Sequence, residues 1–275
     1  MGTPGREHAP PRGLRPAQLG VVLVGRVTLA HLAATVVDLA ARGRVAIEPV
    51  EDDGPDWQIA AVDLSAAGLL GYEQTLLQGL FDGPQDIRLG QVTARMIPLL
   101  DRVRSQVVRD AVGAGLLGLG PMRRLLARGQ LGNPVAGPVK RTRAGDELLK
   151  EIKAFRRELR AAAGAGGAGA LAGYAPYAMI FGLAVPLPIV GGVRRQPADD
   201  ADPRATATDF ATRWHKAWES AAPPETWRSW STPGPAPGHS AAPGHAHGYH
   251  DGGFHGGHGG GFGGGHGGGF GGGHG

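Results

Sequence analysis

The stretch VTLAHLAATVVDLAARGRVAIEP, residues 27–49, decides the predicted fold. Thr28 can cap a helix, because its hydroxyl can accept a hydrogen bond from a backbone N–H of the first turn. Apolar residues then recur at helical spacing and predict one buried helix face, formed by Leu29, Leu32, Val36 and Leu39. Gly43 suits the left-handed position that ends a helix. The alternation of Val45 and Ile47 then predicts a strand.

A second strand follows a polar turn. Asp52–Pro55 has turn composition, and the alternation of Trp57, Ile59 and Ala61 predicts the strand. A helix, a Gly, a strand, a turn and a strand are the layout of a winged helix, with the hairpin as its wing. The sequence therefore predicts a winged-helix-like unit over residues 16–66, which also includes a short helix near its start.

A second, related unit is predicted over residues 67–140. Two helix faces are indicated by apolar residues at helical spacing, namely Tyr72, Leu76, Leu77, Leu80 and Phe81, and then Leu99, Leu100, Val103, Val107, Val108 and Val112. Between these helices, Asp86–Leu89 is a predicted strand and Gln91–Met96 a predicted short helix. The Gly/Pro/Arg-rich residues 120–141 predict a basic loop, so that the wing of this unit is absent or minimal.

Residues 141–230 form a predicted C-terminal helical region. It begins with a strong amphipathic helix over about residues 144–162. Its apolar segment, residues 169–193, carries no charge and is long enough to cross a bilayer. Three prolines would cost backbone hydrogen bonds that lipid cannot replace, so we expect a packed or interfacial segment: Pro176, Pro186 and Pro188. A helix at about residues 206–221 carries Phe210, Trp214 and Trp218.

Both ends of the chain are predicted to be disordered, over residues 1–15 and 231–275. The tail repeats His and Phe at every fourth position among glycines, and Gly-rich chain buries too little apolar surface to order itself. Its imidazoles can bind Zn²⁺, Ni²⁺ or Cu²⁺ weakly. The candidate metal ligands are His250, His258, His266 and His274. The predicted fold class is thus mainly α with small β wings (α+β), with tandem winged-helix-like units, amphipathic helices and a disordered Gly/His-rich tail.

Composition narrows the classes of function. With Cys 0 the chain has no disulfide framework and no thiolate chemistry, which fits a reducing cytoplasm. The net charge is +4, but residues 101–160 alone hold 14 Lys/Arg against 6 Asp/Glu, a local charge of +8. Such a stretch could face phosphates or an anionic membrane surface, or it could be a solvated helix face. Nucleic-acid binding, the less favoured alternative, would use Arg102, Arg104 and Arg109.

No enzyme motif has the context that its chemistry needs. Two GxGxxG strings occur, but neither lies between a strand and a helix, as a dinucleotide site requires. His215 and Glu219 are four residues apart on a predicted helix, without a third metal ligand nearby, and are expected to form a surface pair. We therefore predict a non-enzyme, with no catalytic residues, no cofactor-binding residues and no cofactor.

Several blocks of sequence occur in an order that resembles a known family. They are VTLAHLAATVVDLAARGRVAIEP, GYEQTLLQGLFDG, RTRAGDELLKEIKAFRREL and YAPYAMIFGLA. This order is similar to the C-terminal cytoplasmic region of the YciQ-like predicted membrane proteins, a family of unknown function. The patterns map to Ala34–Ile47, Tyr72–Phe81, Arg141–Leu159 and Tyr174–Ala184 with Trp214, and the resemblance covers residues 18–230 discontinuously.

The chain departs from the family's pattern in its membrane segments. Members commonly carry a pair of transmembrane segments before the RT..G block, whereas Gly120–Lys140 is too short and too basic to span a bilayer twice. The resemblance supplies no catalytic residues. It implies a cytoplasmic location at the inner face of the cell membrane.

From these observations we predict a non-enzymatic scaffold or interaction module with protein partners. Its oligomeric state is not specified by the sequence. Contact with a membrane surface would use residues 169–193. The alternatives are a winged-helix nucleic-acid-binding protein and a metal-binding or storage protein that acts through the His-rich tail.

Overall fold

Residues 27–50 and 55–61 fold as the sequence predicts. In the computed structural model, Thr28 Oγ1 accepts a hydrogen bond from the backbone N–H of His31 at 3.4 Å, and His31 Nδ1 accepts one from the Thr28 N–H at 3.2 Å. The two residues thereby satisfy backbone donors at the start of the helix Leu29–Ala41. Gly43 has φ of +71°, in the left-handed region, and turns the chain into the first strand.

The structure describes residues 9–50, 55–118, 139–166, 168–183, 185, 187 and 206–222. Within them the helices are α1 (Pro16–Val24), α2 (Leu29–Ala41), α3 (Gly71–Leu80), α4 (Ile97–Gly113), α5 (Arg143–Gly166), α6 (Ala175–Ile180) and α7 (Ala207–Ser220). The strands are β1 (Val45–Val50), β2 (Asp56–Ala61), β3 (Asp86–Arg88), β4 (Leu117–Gly118) and β5 (Lys140–Arg141). The described chain is therefore mainly helical with two small antiparallel sheets, as predicted.

The larger sheet joins strands from both predicted winged-helix-like units. β1 and β2 pair antiparallel with Ile47 opposite Ile59, and β3 adds to the other edge of β2 with Ile87 opposite Ile59. These three isoleucines are buried and give the sheet its core face. The boundary predicted at residue 66 thus lies between two strands of one sheet, and the division into two winged-helix-like units stays a prediction.

The short helix predicted at Gln91–Met96 is wrong. Two 3-10 turns, Leu89–Gln91 and Ala94–Met96, take its place. Thr93 lies between them with φ of −127° and ψ of 162°, an extended conformation that no continuous helix allows. The predicted strand before them is present as β3.

The smaller sheet is a two-residue ladder that closes the end of α4 against the start of α5. Leu117 of β4 lies opposite Arg141 of β5, and Gly118 lies opposite Lys140. Residues 119–138, which include most of the predicted basic loop, lie outside the described residues.

Helix α2 lies at the centre of the core. It packs against α1, α6 and α7, and its apolar face is fully buried. Helix α7 covers α2 with an aromatic row formed by Phe210, Trp214 and Trp218. The Phe210 ring lies edge-on to the Trp57 ring with the ring centroids 5.6 Å apart, and the ring centroids of Trp214 and Trp218 are 5.5 Å apart. Burial of each such ring contributes roughly 2–3 kcal/mol to stability. Trp214 and Trp218 are fully buried and are therefore core residues.

The described part of the apolar segment 169–193 is packed into the protein. A 3-10 stretch (Ala168–Tyr174) leads into α6, and Leu171, Ala175 and Ala178 are fully buried. None of the described helices is both long enough and apolar enough to cross a bilayer. The most exposed residues in this part are small, and its larger apolar side chains are buried or half-buried: Ala170, Gly173 and Gly182 are the exposed ones.

Part of the N-terminal segment predicted to be disordered is ordered. Pro11–Gly13 forms a 3-10 turn, and Arg12 Nη2 lies 2.6 Å from Glu151 Oε1. The Leu14 carbonyl accepts a hydrogen bond from the Tyr177 hydroxyl at 2.9 Å. These contacts are with residues far away in sequence, which local composition cannot show. Residues 1–8 and 223–275, with the predicted tail, lie outside the described residues.

Candidate functional site

Four charged side chains meet between α1, α2 and α3. Arg42 Nη2 lies 2.6 Å from Glu73 Oε1 and 2.9 Å from Asp38 Oδ2. Arg15 approaches the same two carboxylates, with Nε 3.8 Å from Glu73 Oε1 and Nη1 3.9 Å from Asp38 Oδ2. We call Arg15, Asp38, Arg42 and Glu73 the charge cluster. Its two cations and two anions balance, which allows Glu73 to be completely buried.

The charge cluster also organises the backbone around it. Glu73 Oε2 accepts a hydrogen bond from the Leu70 N–H at 2.9 Å, which satisfies a donor at the start of α3. Arg42 donates from Nη1 to the Gly68 carbonyl at 3.4 Å, and so holds the chain that enters the helix. The end of α2 is in this way fixed to the beginning of α3.

Burial shifts the pKa of Asp38 in the cluster and of two phenols beside it. It raises the pKa of Asp38, while Arg42 and Arg15 act in the opposite direction. Burial likewise raises the pKa of the neighbouring Tyr72 and Tyr177 hydroxyls, so both phenols keep their protons. Because the carboxylates are paired with guanidinium groups in the interior, the cluster serves as a structural joint between three helices.

A second structural joint lies at the start of α5. It is formed by Arg141, Thr142 and Gly145, the residues that define the RT..G block. Arg141 Nη1 donates to the Val22 carbonyl at 3.1 Å, at the open end of α1. Thr142 Oγ1 accepts from the Gly145 N–H at 3.1 Å and so caps α5. A Cβ at Gly145 would lie 2.1 Å from the Leu116 carbonyl oxygen, so only glycine lets α5 start this close to β4.

A third joint holds α7 to the large sheet. Trp57 Nε1 of β2 donates to Asp209 Oδ2 at 2.8 Å, and Arg213 Nε donates to the same oxygen at 2.9 Å. Arg213 also donates to the Pro55 carbonyl. The aromatic row of α7 is thereby fixed in register over the start of β2, at the turn end of the β1–β2 hairpin.

The solvent side of α5 is divided by charge. Successive residues of an α-helix are about 100° apart around the axis. Four cations therefore fall within a sector of about 80°, and three carboxylates fall within a sector of about 40° whose centre is about 120° from the centre of the cation sector. We call the cations Lys150, Lys153, Arg157 and Arg160 the basic strip, and the carboxylates Glu147, Glu151 and Glu158 the acidic strip.

The two strips differ in their partners. In the acidic strip Glu151 is paired with Arg12 at 2.6 Å, and Glu147 lies 3.3 Å from Arg143. All four side chains of the basic strip belong to exposed residues, and no ion pair joins them to any residue that the structure describes. The opposite face of α5 is buried as a narrow stripe: Leu148, Ile152, Phe155 and Leu159. The sequence predicts an amphipathic helix here, and a helical projection separates its cations from its carboxylates.

The residues proposed for nucleic-acid binding are not all available. Arg102 and Arg109 are exposed, two turns apart on α4. Arg104 is wrong as a contact residue, because its side chain is only 10% exposed and lies 3.8 Å from Asp101. Helix α2, which a winged helix would present to a DNA groove, is buried along nearly its whole length under α6 and α7.

The metal-site predictions have separate outcomes. His250, His258, His266 and His274 lie outside the described residues. Across the part of the chain that the structure describes, no three His, Asp or Glu side chains are grouped as metal ligands would be. His215 Nε2 lies 3.0 Å from Glu219 Oε1, with both side chains about half exposed, so they form a surface pair as predicted.

No protein-family model, no curated protein and no solved structure matches this chain. The resemblance to the YciQ-like proteins therefore stays a prediction that rests on the quoted blocks. The blocks themselves have a structural explanation. The residues that stand out in them form joints: Asp38 and Glu73 in the charge cluster, Arg141 and Gly145 at the start of α5, and Trp214 in the aromatic row.

Proposed function

We propose that the chain is a non-enzymatic interaction module that binds an anionic partner surface through the basic strip of α5. The observation that carries the proposal is the charge division of α5, in which the carboxylates have partners and the four cations are exposed without an ion-pair partner among the described residues. Exposed charge of one sign attracts the opposite charge over distances of about a Debye length.

Two sets of contacts hold α5 rigidly and support a scaffold role: the joint at its start and the aromatic contacts of Phe155. Arg141 and Thr142 fix its first turn to α1 and β4. Phe155 locks its middle, in edge-on contact with Tyr174, Tyr177 and Phe181 at ring distances of 6.4, 5.7 and 6.0 Å. A charged row on a rigid helix loses less conformational entropy on binding than one on a flexible segment.

The finer architecture belongs to this proposal as well. We interpret α2, β1 and β2 as a winged-helix-like unit, supported by the order of helix, Gly43 and hairpin. In this interpretation the unit is a scaffold, since α2, the helix that would enter a DNA groove, is covered by α7. The proposal places the chain in the cytoplasm. A position at the inner face of the cell membrane depends on which anionic surface the basic strip binds.

Binding to heparin, a flexible polyanion, tests the proposal without assuming a partner. We expect Lys153→Glu/Arg157→Glu to lower the affinity of the full chain at least about tenfold, because the affinity of a basic surface for a polyanion depends on the cations that displace its counterions. The matched control is Arg102→Glu/Arg109→Glu on α4, which changes the net charge equally. Equal losses in both variants would show that heparin responds to net charge alone, and the basic strip would not be the contact surface.

A further inference from the structure

The geometry of α5 points to the chemical class of its partner, and this inference rests on the proposed function. We propose that the basic strip binds the phosphates of an anionic phospholipid bilayer, so that the protein adsorbs with the side of α5 parallel to the membrane plane. The groups involved are Lys150, Lys153, Arg157 and Arg160. A nucleic acid is the principal competing partner, because it offers the same phosphate chemistry.

The strip matches a flat surface. Its four cations extend over ten residues of one helix, about 15 Å along the axis, and occupy a sector of about 80°. A plane that touches this sector can approach all four cations at once. Asp146 lies inside the same sector, one turn before Lys150, but Arg141 Nε lies 3.0 Å from its carboxylate and offsets its charge.

The acidic strip argues against a nucleic-acid groove. The major groove is about 12 Å wide, so it would enclose both flanks of α5, with phosphates along each wall. One wall would then face the acidic strip, including Glu147 and Glu158, and the contact would be repulsive. Ala154 and Ala161, which lie beside the basic strip on the side toward the acidic strip, carry no hydrogen-bonding side chain and are unsuited to base recognition.

A bilayer meets only one side of the helix. The basic strip would face the phosphates while the acidic strip, about 120° away, stays in water. The uncharged residues beside the strip are small, apart from the half-buried Leu149, so adsorption would be mainly electrostatic and reversible by salt. Each Lys or Arg near an anionic leaflet strengthens binding about fivefold, and clusters of four to eight such residues are typical of proteins that bind acidic lipids.

Co-sedimentation of the full chain with vesicles provides the test. Vesicles of phosphatidylglycerol mixed with phosphatidylcholine are compared with pure phosphatidylcholine at neutral pH, about 0.15 M salt and with EDTA, which removes metal bound by histidines. We expect binding to the anionic vesicles alone, weakened at least about 25-fold by Lys153→Glu/Arg157→Glu. The control Arg102→Glu/Arg109→Glu should change it less than about threefold, because α4 charges lie outside the contact. Circular dichroism confirms that each variant is folded.

The outcomes separate the two proposals. Binding to duplex DNA that exceeds binding to anionic vesicles, and that needs the basic strip, would assign the strip to nucleic acid and overturn the lipid inference. Strip-dependent heparin binding without vesicle binding would overturn the lipid inference and leave the proposed function standing. If neither vesicles, DNA nor heparin distinguish the strip variant from its control, both proposals fail.

Discussion

Arg42 Nη2 lies 2.6 Å from Glu73 Oε1, and this contact joins the end of α2 to the start of α3 across 31 residues of sequence. Glu73 is fully buried and Asp38 nearly so. Replacing Arg42 by Met leaves both carboxylates without their closest cation, so we expect a loss of about 3–5 kcal/mol in the free energy of unfolding. Urea denaturation of the purified protein measures this loss.

An exposed ion pair serves as the control for Arg42→Met. Arg143→Met removes the cation from a pair with Glu147 in which the side chains are 95% and 54% exposed. Solvent screens such a pair, and its loss should cost less than about 1 kcal/mol. Similar costs for the two variants would show that the charge cluster is solvated, and would contradict its role as a joint.

Gly145 and Gly164 lie on the same helix, the first in a crowded position and the second in an open one. Alanine substitutions at the two positions therefore form a matched pair. A Cβ at Gly145 would lie 2.1 Å from the Leu116 carbonyl oxygen, while nothing lies within 4 Å of one at Gly164. We expect Gly145→Ala to destabilise the protein by about 1–3 kcal/mol through the forced shift of α5. Gly164→Ala should stabilise it by up to about 1 kcal/mol through helix propensity.

Thermal unfolding of the two alanine variants decides this prediction. The expected result is a lower melting temperature for Gly145→Ala and an equal or higher one for Gly164→Ala. A Gly145→Ala protein as stable as the unsubstituted chain would mean that α5 does not begin in contact with β4.

The Arg42–Glu73 contact and the position of Gly145 show what the sequence can and cannot predict. The cap at Thr28, the turn at Gly43 and the hairpin follow from local rules, because each depends on residues a few positions apart. The contact of Arg42 with Glu73 does not, since each charge beside an apolar helix face is equally consistent with exposure to solvent. Gly145 likewise matters only because β4 comes close in three dimensions.

The candidate contact surface was partly predictable. Local charge indicated a basic region between residues 101 and 160, and helical periodicity gave the buried stripe of α5. The difference between the two strips was not predictable. It depends on the pairing of Arg12 with Glu151, which brings a segment predicted to be disordered against the acidic side of the helix. Arg104 was misassigned because charge at a helical position does not reveal burial.

His31 predicts a pH dependence of stability. The imidazole is buried against Gly20 at the start of α2, and burial, with nearby Arg26, lowers its pKa from 6.5 to about 4. The unfolded chain therefore binds this proton at a higher pH than the folded chain does. Stability from His31 is fully present above pH 6.5 and is lost as the pH falls toward 4, by about 3 kcal/mol in total.

Urea denaturation at several pH values between neutral and acidic measures the effect, and His31→Gln is the reference. Gln keeps a side-chain acceptor but cannot titrate, so its stability should fall less over this window. The difference between the two profiles isolates His31 from groups such as Asp38, whose raised pKa acts in the opposite sense. Parallel profiles would contradict the prediction.

The attachment of α7 depends on one carboxylate that two donors share. Asp209 Oδ2 accepts from Trp57 Nε1 at 2.8 Å and from Arg213 Nε at 2.9 Å, and the Trp57 ring is 2% exposed. Asp209→Ala leaves a buried indole N–H without its acceptor, for an expected loss of about 1–3 kcal/mol. Asp209→Asn should recover part of this loss, because its amide oxygen can still accept from Trp57 although the ion pair with Arg213 is gone.

Urea denaturation followed by tryptophan fluorescence reports both effects. Equal losses for the Ala and Asn variants would attribute the whole contribution to the charge of Asp209, and the Trp57 hydrogen bond would then contribute nothing to holding α7 on the sheet.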